Sequence, residues 1–326
     1  VHSPRPFAQA AAAWRSKLGA IEFYLPRTAQ TAALACKTAA AHILINRDGP
    51  ALQPGPRRYT RCWMRDGAIM AAALLRMGGL DEAKDFVRWY ARFQSTDGNI
   101  PCCLDGETPD WLPEHDSHGQ FIYTVMECYR LGGDVELLRE LWPAVQRAVD
   151  HIQKLRRQRL GTEYQTGALA NRYGLLPESV SHEGYLAHPV HAYWDDFWAL
   201  RGLKDAVTMA QILGEASAAA VIAPWRDDLR PCLAASIRAV MEERRLDFLP
   251  ASVEWADPDP VAMTIALTLV DEAQLLPPEA VARSFDLYLQ HFRAMHQDQV
   301  PWSHYTPYEI RIIGGLVRLG RRNEAQ

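Results

Sequence analysis

Apolar residues recur every three to four positions through Ala32–Ile45, Ile69–Met77, Ala83–Phe93, Phe121–Leu131, Leu138–Leu155, Phe197–Leu213, Ala218–Met241, Val261–Val270, Val281–Phe292 and Ile310–Leu319. That period belongs to helices with one buried face. With a helix over Phe7–Leu18, the pattern predicts about eleven helices, and Arg321–Gln326 starts another. Pro224 and Pro231 are expected to break the longest segment near its start. Strand signals are scarce, and Glu163–Thr166 with Asn171–Leu176 reads as a short hairpin in a loop.

A unit repeats along the chain. LLRMGGLDEA (74–83), CYRLGGDVEL (128–137) and LVRLGRRNEA (316–325) each read helix, Gly, short charged turn, helix, and QILGEASAAA (211–220) is a weaker copy. Glycine after a helix closes its C-terminus, and an acidic residue then favours the next N-terminus. Such short links make antiparallel helical hairpins. Longer segments rich in Pro, Asp, His and Trp lie between them, at 47–66, 95–118, 160–194, 243–259 and 293–307. Short turns at one end and long loops at the other describe stacked hairpins whose loops share a face. The irregular spacing favours a closed all-α toroid of alternating inner and outer helices over a solenoid. The expectation is one domain over 1–326. Either the ring closes with the N-terminal helix, or it is incomplete at the C-terminus.

Composition narrows the function. At 48% apolar and 23% charged, the 326 residues make an ordinary globular protein. A net charge of −4, from 35 basic and 39 acidic residues, argues against sequence-independent nucleic-acid binding. No segment approaches the ~20 apolar residues of a membrane span; Gly67–Leu75 and Ala39–Ile45 are the longest candidates. The amphipathic N-terminus has no uncharged signal core, although a first residue of Val leaves removal of a Met or a leader open. Six dispersed cysteines without CxxC point to free thiols in a reducing cytoplasm, with periplasmic or secreted locations still open. Oligomeric state is not readable from the sequence.

The chemistry gathers in the long loops. Arg65-Asp66 follows Trp63 before an apolar helix, where helix capping is the plain alternative. Asp110, Trp111, Glu114, His115, Asp116 and His118 crowd one loop. A metal site at His115, Asp116 and His118 lacks a third anchor in the chain, so no metal or cofactor is expected. Asp195-Asp196 stand between Trp194 and Trp198 at another helix mouth, where apolar rings raise a carboxyl pKa and stack on sugars. Later entries hold Glu254-Trp255, then Trp302, His304, Tyr305, Tyr308 and Glu309.

Three stretches resemble the six-hairpin, (α/α)6 glycosidases, the group of glucoamylases and the glucosidase part of glycogen debranching enzymes. WMRDGAIMAAALL (63–75) is similar to their W-x-R-D motif. DGNIP (97–101) with EHDSHGQFIY (114–123) is similar to D-G-x-I-P and the Asp that follows it. YWDDFWALRGLKDA (193–206) is similar to the segment holding the general acid, with Asp where glucoamylases have Glu. The resemblance implies that Arg65, Asp66 and Asp116 grip a terminal sugar. It implies Asp195 as general acid, with Asp196 as a sugar contact. The base comes from a late helix: Glu309 first, Glu254 second, or a residue beyond Gln326. Glu114, His115 and His118 join the substrate contacts, and Trp111, Trp194 and Trp302 are candidates to stack on the pyranose. The implied reaction is inverting hydrolysis of an oligosaccharide or glucan from a chain end, with the two carboxyls ~6.5–9.5 Å apart. Two other readings stay open. One is an epimerase or lyase on the same toroid, using His118, His188, His191 or Tyr305. The other is a non-catalytic carbohydrate-binding protein.

Overall fold

A computed structural model describes residues 4–302 and 305–326. Among the described residues twelve α-helices follow in order: α1 (Pro4–Leu18), α2 (Gln30–Asn46), α3 (Met64–Arg76), α4 (Leu80–Ala91), α5 (Asp116–Gly132), α6 (Val135–Arg157), α7 (Tyr193–Leu213), α8 (Ala216–Arg244), α9 (Pro260–Leu267), α10 (Pro278–His296), α11 (Ile310–Arg318) and α12 (Arg322–Ala325). The architecture is an all-α toroid. Its inner row is α3, α5, α7, α9 and α11, each packed on the next. Outside it, α4 lies on α3 and α5, α6 on α5 and α7, α8 on α7, and α10 on α9. The N-terminal pair extends the row at the α3 end, with α1 on α2 and α2 on α3.

The burial of each helix follows from its place. Along α5, every side chain from Asp116 to Cys128 is buried, because neighbours cover it on all sides. On α6 one stripe is buried, from Leu137 to Arg156, and the charged residues other than Arg156 face out. Gly133 ends α5 in the left-handed region at φ 69°, and Asp134 then caps α6 by accepting the Leu137 N–H at 3.1 Å. At the α5–α7 crossing the two backbones approach closely. A Cβ on Gly119 would stand 1.9 Å from the Trp198 carbonyl oxygen. One hydrophobic cluster runs through the toroid from Ala40 to Leu316.

Two expectations fail locally. Pro224 and Pro231 lie inside an unbroken α8. They are seven residues apart, both exposed, and so share its solvent stripe. The carbonyls they leave without donors, on Ala220 and Asp227, also belong to exposed residues that water can serve. The proposed hairpin at 163–176 is instead a pair of 3-10 turns, Thr162–Tyr164 and Gly167–Arg172. The sheet lies elsewhere: β1 (Cys62–Trp63), β2 (Cys103–Asp105) and β3 (Thr108–Asp110) pair antiparallel in that order. Strands this short carry too few positions for alternation to show in a sequence.

Candidate active site

Three of the long loops meet over the inner helices. They enclose a cavity of about 520 Å³ lined by Pro54, Tyr59, Trp63, Arg65, Asp66, Glu183, Thr306, Pro307 and Tyr308. That volume lies in the ~300–1,000 Å³ range of small-ligand sites. The wall combines aromatic faces, one guanidinium and two carboxylates, a mixture suited to a polyhydroxylated ring.

Strand β1 leads straight into α3, which puts Arg65 and Asp66 in the first turn at the cavity wall. Neither Asp66 nor any other side chain caps α3. The Arg65 guanidinium instead binds inward, with Nη1 2.5 Å from Glu114 Oε2 and 3.7 Å from Asp116 Oδ2, and Nε 4.0 Å from Asp66 Oδ2. Burial pushes the Glu114 carboxyl up to about 9 against the pull of Arg65, so it carries a proton at neutral pH. Burial also raises Asp66, while Arg65 and Arg311 restrain it. Asp116 is fully buried and accepts from Trp194 Nε1 and Gln120 Nε2, each at 2.7 Å. Glu114 and Asp116 thus form a layer behind Arg65 that holds its fork in place.

Arg311 enters from α11. Its guanidinium carbon sits 5.0 Å from the Trp194 ring centroid and 4.6 Å from that of Tyr308. Among the described residues, no ion pair includes it. Burial lowers its pKa, offset in part by the nearby Asp66 and Asp259.

Glu183 occupies the opposite loop, where Trp63 Nε1 donates to its Oε1 at 3.2 Å. The backbone there is unusual: Ser181 and Glu183 both have positive φ, 51° and 65°. Asp195 holds this loop from below. It is 1% exposed and accepts from the hydroxyls of Ser179 and Ser181, the latter at 3.0 Å. Asp196 faces another way: its Oδ1 accepts the Leu176 N–H at 2.9 Å, and burial pushes its carboxyl up to about 7. Neither aspartate caps α7.

The structure therefore gathers only some of the expected residues. Arg65 and Asp66 line the cavity. Trp194, Asp116, Glu114 and Asp195 lie beneath it without facing it. Glu309 is not brought near Asp195; it lines a separate groove with Tyr288, Phe292 and Tyr305. Glu254 is tied to Arg172 and to His191, whose pull lowers it to about 2 against burial. Trp302 packs on His296 and Tyr305, Trp111 is exposed, and neither lines the cavity.

The histidines are structural in placement. Burial lowers His115 to about 4 and His118 to about 3. The His118 nitrogens lie 3.1 Å from the His115 carbonyl and 3.0 Å from Asn99 Oδ1. His191 is held between Glu254 and Arg159. His188 sits by Trp255, and His304 lies outside the described residues.

Tyr59, Glu183 and Arg311 were not singled out by the sequence. Tyr308 and Arg311 stand in the same helix entry as Glu309, one residue before it and two after it, which was the available signal. Glu183 gave none, because its position depends on a left-handed loop held by Asp195.

The family model described as Amylo-alpha-1,6-glucosidase matches residues 30–186, from α2 to the Glu183 loop. The chain superposes on an alpha-L-rhamnosidase from Dictyoglumus thermophilum with a TM-score of 0.58 at 14% identity, over 89% of this chain and 31% of that one. It has the fold of the six-hairpin glycosidases. A rhamnosidase from Klebsiella oxytoca with rhamnose bound shares this fold at a TM-score of 0.58 and 15% identity, over 89% of this chain and 53% of that one. A glycosidase variant in complex with glucose does so at 0.59 and 15%, over 89% and 80%. The chain thus spans about a third and about half of the two rhamnosidases. No curated protein matches the sequence. No described helix of this six-hairpin fold is long and apolar enough to cross a membrane.

Proposed function

We propose that the 326 residues form one catalytic toroid, a glycoside hydrolase that takes the end of an oligosaccharide or glucan into the cavity and cleaves it with inversion. The carrying observation is that Asp66 and Glu183 line one aromatic-walled cavity with Arg65. The family match and the fold support the same reaction class. Glu183 is assigned proton donation to the leaving glycosidic oxygen, because it lines the cavity whereas Asp195 is sealed beneath the loop. Asp195 is a positioning residue that holds Ser179 and Ser181 and, through them, Glu183. Asp66 is the remaining carboxylate on the wall and is assigned to activate water. Restraint by Arg65 and Arg311 favours the ionised form that a base needs. Tyr59, Trp63 and Tyr308 supply faces for the pyranose, and Arg65 and Arg311 supply donors for its hydroxyls. The cytoplasm is the proposed compartment, since all six cysteines are free and four of them are buried.

The test is a panel of oligosaccharides, with the anomer of the released sugar followed by NMR. Glu183→Gln is expected to reduce kcat by about 10²–10⁴ with KM little changed, while Glu309→Gln keeps kcat. A fully active Glu183→Gln overturns the acid assignment. An Asp66→Asn variant with raised KM and intact kcat returns Asp66 to the gripping role implied by the resemblance.

A further inference from the structure

Trp63, Cys102 and Cys103 form a small cluster separate from the main core, with Leu112 packed against it. Cys102 lies in the bend just before β2, and Cys103 opens the strand. Here the two sulfurs approach to 3.8 Å, with the Cys102 thiol donating toward Cys103. Both cysteines are buried, at 3% and 1% exposure, and beside them lie Leu112 and the Arg61–Asp110 ion pair, both of whose charged side chains are over a third exposed. Arg61 also lies 5.5 Å from the Trp63 ring centroid.

We propose that Cys102 and Cys103 form a redox-modifiable vicinal dithiol, which a small-molecule disulfide oxidises to an intramolecular disulfide that loosens the start of α3. Cys103 is the attacking thiol. The Cys102 S–H and the Arg61 charge both favour its thiolate and lower its pKa. The thiolate attacks one sulfur of the reagent R–S–S–R, forming a mixed disulfide and releasing R–S⁻. Cys102 then gives up its proton, attacks the Cys103 sulfur and releases the second R–S⁻. Two protein thiols lose two electrons and two protons, and one reagent disulfide becomes two thiols. Although the sulfurs and a carboxylate oxygen of Asp110 lie within 4.8 Å of one another, Arg61 pairs with that carboxylate. The surroundings thus stabilise a thiolate and oppose a metal cation.

The link to the cavity is covalent and hydrogen-bonded. The Cys102 carbonyl accepts the Met64 N–H at 2.9 Å, and Cys103 pairs with Trp63 across the sheet. Adjacent Cα atoms are ~3.8 Å apart across a trans peptide, below the usual disulfide span of ~4.4–6.8 Å. Ring closure must therefore distort the backbone at Cys102 and Cys103, pulling the Cys102 carbonyl from the N–H of Met64, the residue before Arg65. Cys62 is no competitor: its thiol donates to the Leu52 carbonyl at 3.1 Å, and burial pushes it up to about 12.

The test uses the full chain and 2-hydroxyethyl disulfide at pH 8, with peptide mass mapping and hydrogen exchange. The peptide holding both cysteines is expected to lose two hydrogens without retaining an adduct. Cys102→Ser should instead keep the hydroxyethyl adduct on Cys103, and Cys103→Ser should react about tenfold more slowly. Exchange at the Met64 amide should accelerate about tenfold on oxidation and recover with dithiothreitol. A pair that stays reduced while exposed Cys36 reacts fully would overturn the site. Unchanged Met64 exchange in the oxidised chain would overturn the link to α3. Both readouts on the unmutated chain stand even if a serine variant fails to fold, and neither depends on the hydrolase assignment.

Discussion

Replacing Arg65 by Met removes one cation from a nest of three carboxyl groups while keeping the stem and much of the volume. The side chain is 9% exposed, with Glu114, Asp116 and Asp66 at 2.5, 3.7 and 4.0 Å. At an effective dielectric near 20, each ionised partner about 4 Å away contributes ~4 kcal/mol of gross attraction. Desolvation of the guanidinium offsets much of this, and breaking a buried pair costs a net ~3–5 kcal/mol. The lower end is expected at pH 7, because Glu114, near 9, already carries a proton and demands little from Arg65. The loss should grow from pH 7 to 10, where the native chain ionises Glu114 against Arg65 and the variant cannot. Guanidinium unfolding followed by tryptophan fluorescence measures this as a shifted midpoint with an unchanged slope. Arg65→Lys, which keeps the charge but loses the fork, should fall between the two. A loss under ~1 kcal/mol at pH 7, or one flat to pH 10, would show that Arg65 does not hold the layer behind the cavity.

Other outcomes follow from the same geometry. Asp195→Asn should lower kcat about tenfold or more and raise proteolysis of the loop around Glu183, and an unchanged pattern would deny its positioning role. Pro224→Ala and Pro231→Ala should each stabilise α8 by about 1–3 kcal/mol, read as a higher Tm, because a helix N–H returns on a solvent stripe. Gly119→Ala should cost more than ~3 kcal/mol, since the Cβ meets the Trp198 carbonyl at 1.9 Å; a folded variant of native stability would refute the crossing. For Glu114 the folded pKa near 9 lies above the ordinary 4.5 of a glutamate, so folding retains a proton that the unfolded chain has lost between those values. Stability from this group is full below about 4.5 and falls as pH rises through 9. Urea midpoints across that range should flatten in Glu114→Gln.

The helices were legible because apolar residues recur along them every three to four positions, and the turns because Gly133 and its counterparts close helix ends. The order of the three motifs was equally local, and it led to the fold and to Arg65 and Asp66. What the sequence could not carry was direction. Asp195 and Asp196 stand at a helix mouth as expected, but consecutive helical residues point about 100° apart. The loop packed above Asp195 sealed it, and Leu176 claimed Asp196. Glu309 and Tyr308 are neighbours, yet one faces the outer groove and the other the cavity. Glu183 reaches the cavity through a left-handed backbone that distant side chains stabilise. Periodicity and capping are short-range and leave a record in adjacent residues. Which carboxylate is sealed and which meets a ligand depends on groups far apart in the chain, and only their packing decided it.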